Sequence, residues 1–224
     1  MPENGLRFIV LILFFLLMSL AAVAQEDLSQ AVLPVGSFSA GSLAGWKNKS
    51  FQGETSCRLI TDGQINVLKA ESHAAASGLF FEQRIDLNKT PVMNWRWRVE
   101  QPLTGLNEQT KLGDDFAARV YVVVSGGLIF WNTKAINYVW ANTTPKGKIW
   151  PNPFAGDHAM MVAVRSASDK TGQWFSEKRN VRENFKRLTG EDIHYIDAGA
   201  LMTDTDNSSG QAVAYYGDIF FTAE

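Results

Sequence analysis

The chain has 224 residues, 21 Lys and Arg against 23 Asp and Glu, a formal net charge of -2 and a single cysteine. That balance lacks the basic excess of a nucleic-acid binder. One cysteine allows no internal disulfide and too few thiolates for a soft-metal site. The length suits one sizeable core better than two.

The first residues read as an export signal. Arg7 precedes the apolar run 8–18, and Ala22-Val23-Ala24 stands just before the polar Gln25-Glu26-Asp27. This is the layout of a secretory signal with an A-x-A cleavage site, and the run is shorter than the roughly 20 apolar residues a bilayer span needs. The expectation is a signal peptide over 1–24, a flexible segment over 25–37 and one domain over 38–224. The mature protein is then periplasmic or secreted, with no stable membrane insertion, and Gln25 offers no thiol for a lipid.

From Val32 onward, short runs rich in β-branched and aromatic residues alternate with Gly, Asn, Asp and Pro. Strands are predicted at 56–60, 65–71, 79–86, 92–99, 115–125, 128–131, 135–141, 158–165, 193–202 and 213–221. Such spacing reads as two packed sheets rather than as alternating strands and helices. Seven Trp and 14 Phe supply the packing between them, and the lone Cys57 reads as a small buried apolar side chain. The longest irregular stretches, 101–113 and 143–156, are candidate homes for ligand contacts. One helix is signalled at 181–189: Asn180 and Glu183 form a capping-box pattern, Val181, Phe185 and Leu188 share a face, and Thr189-Gly190 closes it.

Three segments could carry chemistry. In Asn94-Trp95-Arg96-Trp97-Arg98-Val99 the period of two sends the tryptophans to one face, the core, and Arg96 and Arg98 to the other. That second face is either a solvated edge or a ligand surface, since the guanidinium fork pairs with carboxylates or adjacent hydroxyls. In 114–121 the same period places Asp115, Ala117, Arg119 and Tyr121 together. If they adjoin Arg96 and Arg98, the result is an ion-pair ladder or a sugar-binding groove. Adjacent Asp114 and Asp115 point to opposite faces of a strand and cannot flank one glycosidic bond. The loop Asp204-Thr205-Asp206-Asn207, with Asp218 on the strand after it, is an Asx-rich turn, a ligand loop or a calcium site. It fails the EF-hand pattern, with Ser209 where Gly belongs and Tyr215 where Glu is needed.

No nucleophile elbow occurs, because Ser42 in Gly41-Ser42-Leu43-Ala44-Gly45 sits one place too early. His73, His158 and His194 are scattered without metal-ligand spacing. His158, beside Asp157, is the one a neighbouring carboxylate would orient.

The segments Trp95-Arg96-Trp97-Arg98, Gly113-Asp114-Asp115-Phe116-Ala117-Ala118-Arg119, Asn137-Tyr138-Val139-Trp140-Ala141, Arg179-Asn180-Val181, and Met202-Thr203-Asp204-Thr205-Asp206-Asn207 with Tyr216-Gly217-Asp218-Ile219 follow one another in order. Together they resemble the family known as domain of unknown function 3047, over residues 38–221. The resemblance implies an exported bacterial protein and no known activity. The closing pair of segments is also similar to the last hairpin of galactose-binding-like jelly rolls and some carbohydrate-binding modules. Gly217 stands where those often carry a second Asp, which weakens any calcium role carried over from them.

The sequence therefore predicts an all-β, jelly-roll-like two-sheet β-sandwich with one short helix near 181–189. Its expected role is non-catalytic binding of a carbohydrate or another polar envelope ligand. Arg96, Arg98, Asp115, Arg119, Tyr138, Trp140 and Asn142 are expected to form one polar and aromatic face, since sugars pair hydroxyls with planar polar groups and lay their rings on aromatics. One rival is a polysaccharide-active hydrolase or lyase using Asp115, His158 or Tyr138 as acid and base. The other is a structural envelope protein whose polar ladder merely stabilises the sheet. No metal ligand is assigned; calcium at 204–207 is the one cofactor left open.

Overall fold

The computed structural model describes residues 32–127 and 132–224, so the segment read as an export signal and the strand expected at 128–131 lie outside the described residues. Among the described residues two seven-stranded sheets pack face to face as a jelly-roll β-sandwich. The first holds β1 (Leu33–Gly36), β3 (Ser56–Asp62), β4 (Ile65–His73), β6 (Val92–Gln101), β11 (Phe175–Asn180), β13 (Gln211–Tyr216) and β14 (Ile219–Thr222). The second runs in the order β2 (Trp46–Gln52), β5 (Ala76–Asp86), β12 (Tyr195–Asp204), β7 (Arg119–Val124), β8 (Lys134–Trp140), β10 (Gly156–Arg165) and β9 (Ile149–Asn152). The described pairs are antiparallel except β8 with β10.

Period-two patterning decides which side chains meet between the sheets. Trp95, Trp97 and Val99 of β6 point inward, as do Ile136, Tyr138 and Trp140 of β8, and all are buried. Trp95 meets Tyr138 with ring centroids 5.4 Å apart, and Trp97 meets Trp140 edge-on at 6.1 Å. Each such pair contributes roughly 0.5–1.5 kcal/mol beyond its burial. Trp97 Nε1 donates to the buried Glu177 carboxylate at 3.2 Å, and Arg165 Nε pairs with the same oxygen at 2.6 Å. The indole donor therefore reaches a partner inside the core.

The helix α1 (Val181–Thr189) follows directly on β11 and packs against β11 and β6. Asn180 Oδ1 accepts from Glu183 N at 3.0 Å, and Gly190 takes the left-handed conformation, φ 77°, that ends the last turn. Val181 and Phe185 are buried, and Asn184 Nδ2 donates to the Tyr138 hydroxyl at 2.8 Å.

Several boundaries differ from the sequence reading. The segment expected to be flexible up to residue 37 contributes β1, paired with β14. Strands β2, β9 and β11 were not expected; their sequences WKNKSFQ, IWPN and FSEKRN are polar or carry proline, as suits strands that each pair with one neighbour at a sheet edge. The expected strand 213–221 is two strands, β13 and β14, which pair in succession with β6. Gly217 and Asp218 break it. A Cβ at Gly217 would stand 2.4 Å from Cγ of Arg96, so glycine lets that side chain cross the break.

Candidate functional site

The structure does not bring the seven expected residues to one face. Tyr138 and Trp140 lie between the sheets with 0% and 1% exposure, because the inward parity of β8 falls on them. Burial pushes the Tyr138 hydroxyl up to about 12 although Asn184 donates to it. Arg96 and Arg98 point outward from the first sheet, while Asp115, Arg119 and Asn142 gather at one end of the second. The acid/base trio of the enzymatic reading is dispersed too. Tyr138 is core, His158 is exposed at the start of β10, and Asp115 is held by backbone and side-chain N–H groups.

The outer face of the first sheet carries a stacked ladder. The Arg98 guanidinium lies over Tyr215 at 4.1 Å and over Trp174 at 5.2 Å, and its NH1 pairs with Asp62 at 2.9 Å. Trp174 Nε1 donates to the same Asp62 oxygen at 3.1 Å. Arg96 lies over the other part of this arrangement, 4.7 Å from the Trp174 ring, and forms no ion pair among the described residues. Beside it opens a groove of about 610 Å³, lined in part by Asn94, Arg96, Ser176, Lys178, Asp218 and Phe220. Register explains the grouping: Ser176 sits opposite Arg96, and Asn94 sits opposite both Lys178 and Phe220. Asp218 accepts from the backbone N–H and hydroxyl of Ser39, which fixes one wall. That position takes Asp218 away from the loop 204–207, where the sequence reading had grouped it.

The second cluster forms where the loops before β7, after β8 and after β12 meet. Strand β7 begins only at Arg119, so Asp114 and Asp115 precede it and escape strand parity; both join the cluster. Arg119 is buried. Its NH2 pairs with Asp204 Oδ2 at 3.0 Å and approaches Asp114 Oδ1 at 3.6 Å, and its NH1 donates to the Tyr121 hydroxyl at 3.1 Å. The expected sharing of a face by Arg119 and Tyr121 is therefore present, with buried carboxylates supplied from β12 and the preceding loop. Asp115 Oδ1 accepts from Asn207 N and Nδ2, each at 3.1 Å, and Oδ2 accepts from Ser208 N at 2.6 Å. Asn142 Nδ2 donates to the Asp115 carbonyl at 2.9 Å.

Burial raises the carboxyls of Asp204, Asp114 and Asp206 above the ordinary range. At all three, Arg119 opposes the shift and the neighbouring aspartates add to it. Glu108, absent from the sequence reading, anchors the assembly. It has 0% exposure, and its Oε1 accepts from the N–H groups of Asn142, Thr143 and Thr144 at 3.0, 3.1 and 2.8 Å. Burial alone would raise its pKa, yet these donors hold it below the ordinary value. No sequence signal distinguishes Glu108 from a surface glutamate, because its partners are backbone amides more than 30 residues away.

The model of the family described as protein of unknown function (DUF3047) matches residues 44–220. No curated protein matches the chain. Among solved structures, the chain is similar to a carbohydrate-binding module of the β-sandwich superfamily, at 13% identity and TM-score 0.44, covering 87% of this chain and 63% of that one. It is similar to the CBM22-2 xylan-binding domain of Xyn10C from Paenibacillus barcinonensis, at 14% identity and TM-score 0.40, over 84% and 98% of the two chains. It is also similar to the xyloglucanase domain of NopAA from Sinorhizobium fredii, at 11% identity and TM-score 0.46, over 82% and 96%.

Proposed function

The chain belongs to the family described as protein of unknown function (DUF3047), and we propose that it is an exported, non-catalytic binder of carbohydrate, taking hydroxyl-rich or uronate-bearing glycans on the outer face of the first sheet. The observation that carries this reading is Arg96. Its guanidinium is stacked on Trp174 beside an open groove and forms no ion pair among the described residues. Every other outward arginine near it is engaged: Arg98 by Asp62 and Glu100, Arg58 by Glu71. A planar fork held flat and unpaired presents two parallel donors, which suit a carboxylate or a vicinal diol. Asn94 and Ser176 add polar groups and Phe220 an apolar edge, the mixture that orients a sugar ring. Lys178 adds a second positive charge to the groove, which the Asp218 carboxylate also lines. Export rests on the Arg7 to Ala24 signal layout.

The test is affinity electrophoresis and calorimetry against neutral and polyuronate polysaccharides, with Arg96→Ala as the variant. A charged hydrogen bond contributes about 1.5–3 kcal/mol, so the variant should bind roughly 10- to 100-fold more weakly at an unchanged melting temperature. Equal binding by the variant, or no binding to any glycan in the panel, would reject the reading.

A further inference from the structure

At the end of the second sheet four carboxylates, Asp114, Asp115, Asp204 and Asp206, face one guanidinium, that of Arg119. Ligand oxygens of Asp115, Asp204 and Asp206 lie within 4.8 Å of one another. Asp204 is 2% exposed, and its Oδ2 is taken by Arg119. The oxygen it can still offer is Oδ1, which is buried and has no hydrogen-bond partner among the described residues. Asp114 Oδ1, on a residue 5% exposed, is likewise without a hydrogen bond among the described residues. Buried carboxylate oxygens without donors are costly, and native structures rarely leave them so.

We propose that a divalent cation of the calcium class binds between Asp115, Asp204 and Asp206. The donor set is all oxygen, which suits a hard cation, and neither His nor Cys belongs to the cluster. Calcium sits about 2.3–2.6 Å from each ligand, so oxygens around one ion stand up to roughly 5 Å apart, and the observed cluster fits inside that limit. Asp115 is oriented for the task. Three N–H groups of Asn207 and Ser208 fill part of its acceptor capacity and leave room for a metal. Asp206 is only half-buried, which gives an ion and its remaining waters a way in. The raised carboxyls agree with this, since a cation supplies the neutralisation that protons would otherwise provide. Bound there, the ion would tie the loop after β12 to the loop before β7. The site is independent of the groove around Arg96, which lies on the other sheet.

The experiment uses the mature protein stripped with EDTA, then titrated with calcium alone and with magnesium alone, read by calorimetry and thermal melting. At a calcium concentration about 100 times its dissociation constant, melting should rise by about 5–10 °C. Magnesium, which demands near-ideal octahedral geometry, should give less. Asp206→Asn, at a half-buried position where folding should survive, should bind calcium at least tenfold more weakly and lose most of the shift. Wild-type protein that shows no calcium heat and melts identically in calcium and EDTA would overturn the proposal. So would an Asp206→Asn protein with undiminished affinity, which would place the ion elsewhere. A metal-insensitive melt that rises as pH falls would also overturn it, because a shared proton would then hold the carboxylates together.

Discussion

Among the described residues Arg119 supplies the only guanidinium in contact with the buried carboxylates of Asp204 and Asp114, and replacing it by alanine removes that partner. Asp204 Oδ2 loses its donor at 3.0 Å, the Asp114 carbonyl another at 3.0 Å, and the Tyr121 hydroxyl a third at 3.1 Å. The side chains of Arg119, Asp114 and Asp204 are 8%, 6% and 3% exposed, so water cannot take over the role. Breaking a buried pair by deleting one partner costs about 3–5 kcal/mol, or a fall in melting temperature of roughly 6–20 °C for a chain of this size. The measurement is urea unfolding with chelator present, at pH 7 and at pH 4. Asp204 and Asp114 are raised in the folded protein, so the stability linked to them is complete below the unfolded carboxylate value and is lost as pH rises through the folded one. Arg119 restrains that rise, and without it the folded values climb further. The deficit of the variant should therefore be largest at neutral pH and shrink in acid. Asp204→Asn in the same chain should recover part of the loss. A deficit below about 1 kcal/mol, well under the range for a broken buried pair, would refute the reasoning, and so would one equal at both pH values.

The sheets were legible wherever one face of a strand is buried and the other is not. Trp95, Trp97 and Arg96, Arg98 separated to opposite faces as the period of two requires, and the capped helix at Val181 ran to Thr189 as its pattern indicated. Parity failed where the backbone was not a strand. Asp114 and Asp115 sit in the loop before β7, so the alternation applied to them did not exist. Parity also cannot say which face of a strand is core when both carry aromatic or polar residues. In β8 Tyr138 and Trp140 went inward while Asn137 took the outer side, which dissolved the single polar and aromatic face. The end cluster depends on contacts such as Arg119 with Asp204, 85 positions apart, and Asp115 with Asn207, 92 apart. Local patterns carry no information about such pairings. The motifs Gly113 to Arg119 and Met202 to Asn207 each stand out in the sequence, and the β7–β12 pairing joins them into one site.

Two further expectations are open to measurement. If the chain is exported as proposed, mass spectrometry should find an N-terminus at Gln25, where the Ala22-Val23-Ala24 layout puts the cleavage; retention of residues 8–18 would mean an anchor instead. Glu108→Gln tests whether charge holds the two long loops together. The carboxylate is buried against three backbone N–H groups and the Thr143 hydroxyl, and an amide would turn an N–H toward donors, leaving groups unpaired at about 1–3 kcal/mol. Because the folded pKa of Glu108 lies below its ordinary value of 4.5, its contribution is present above the unfolded value and is lost as pH falls through the folded one. The wild type and the variant should therefore differ most near pH 7 and converge in acid below the ordinary carboxylate range. A gap that stays constant down to about pH 3, where glutamate is largely protonated, would show that shape rather than charge anchors the loops.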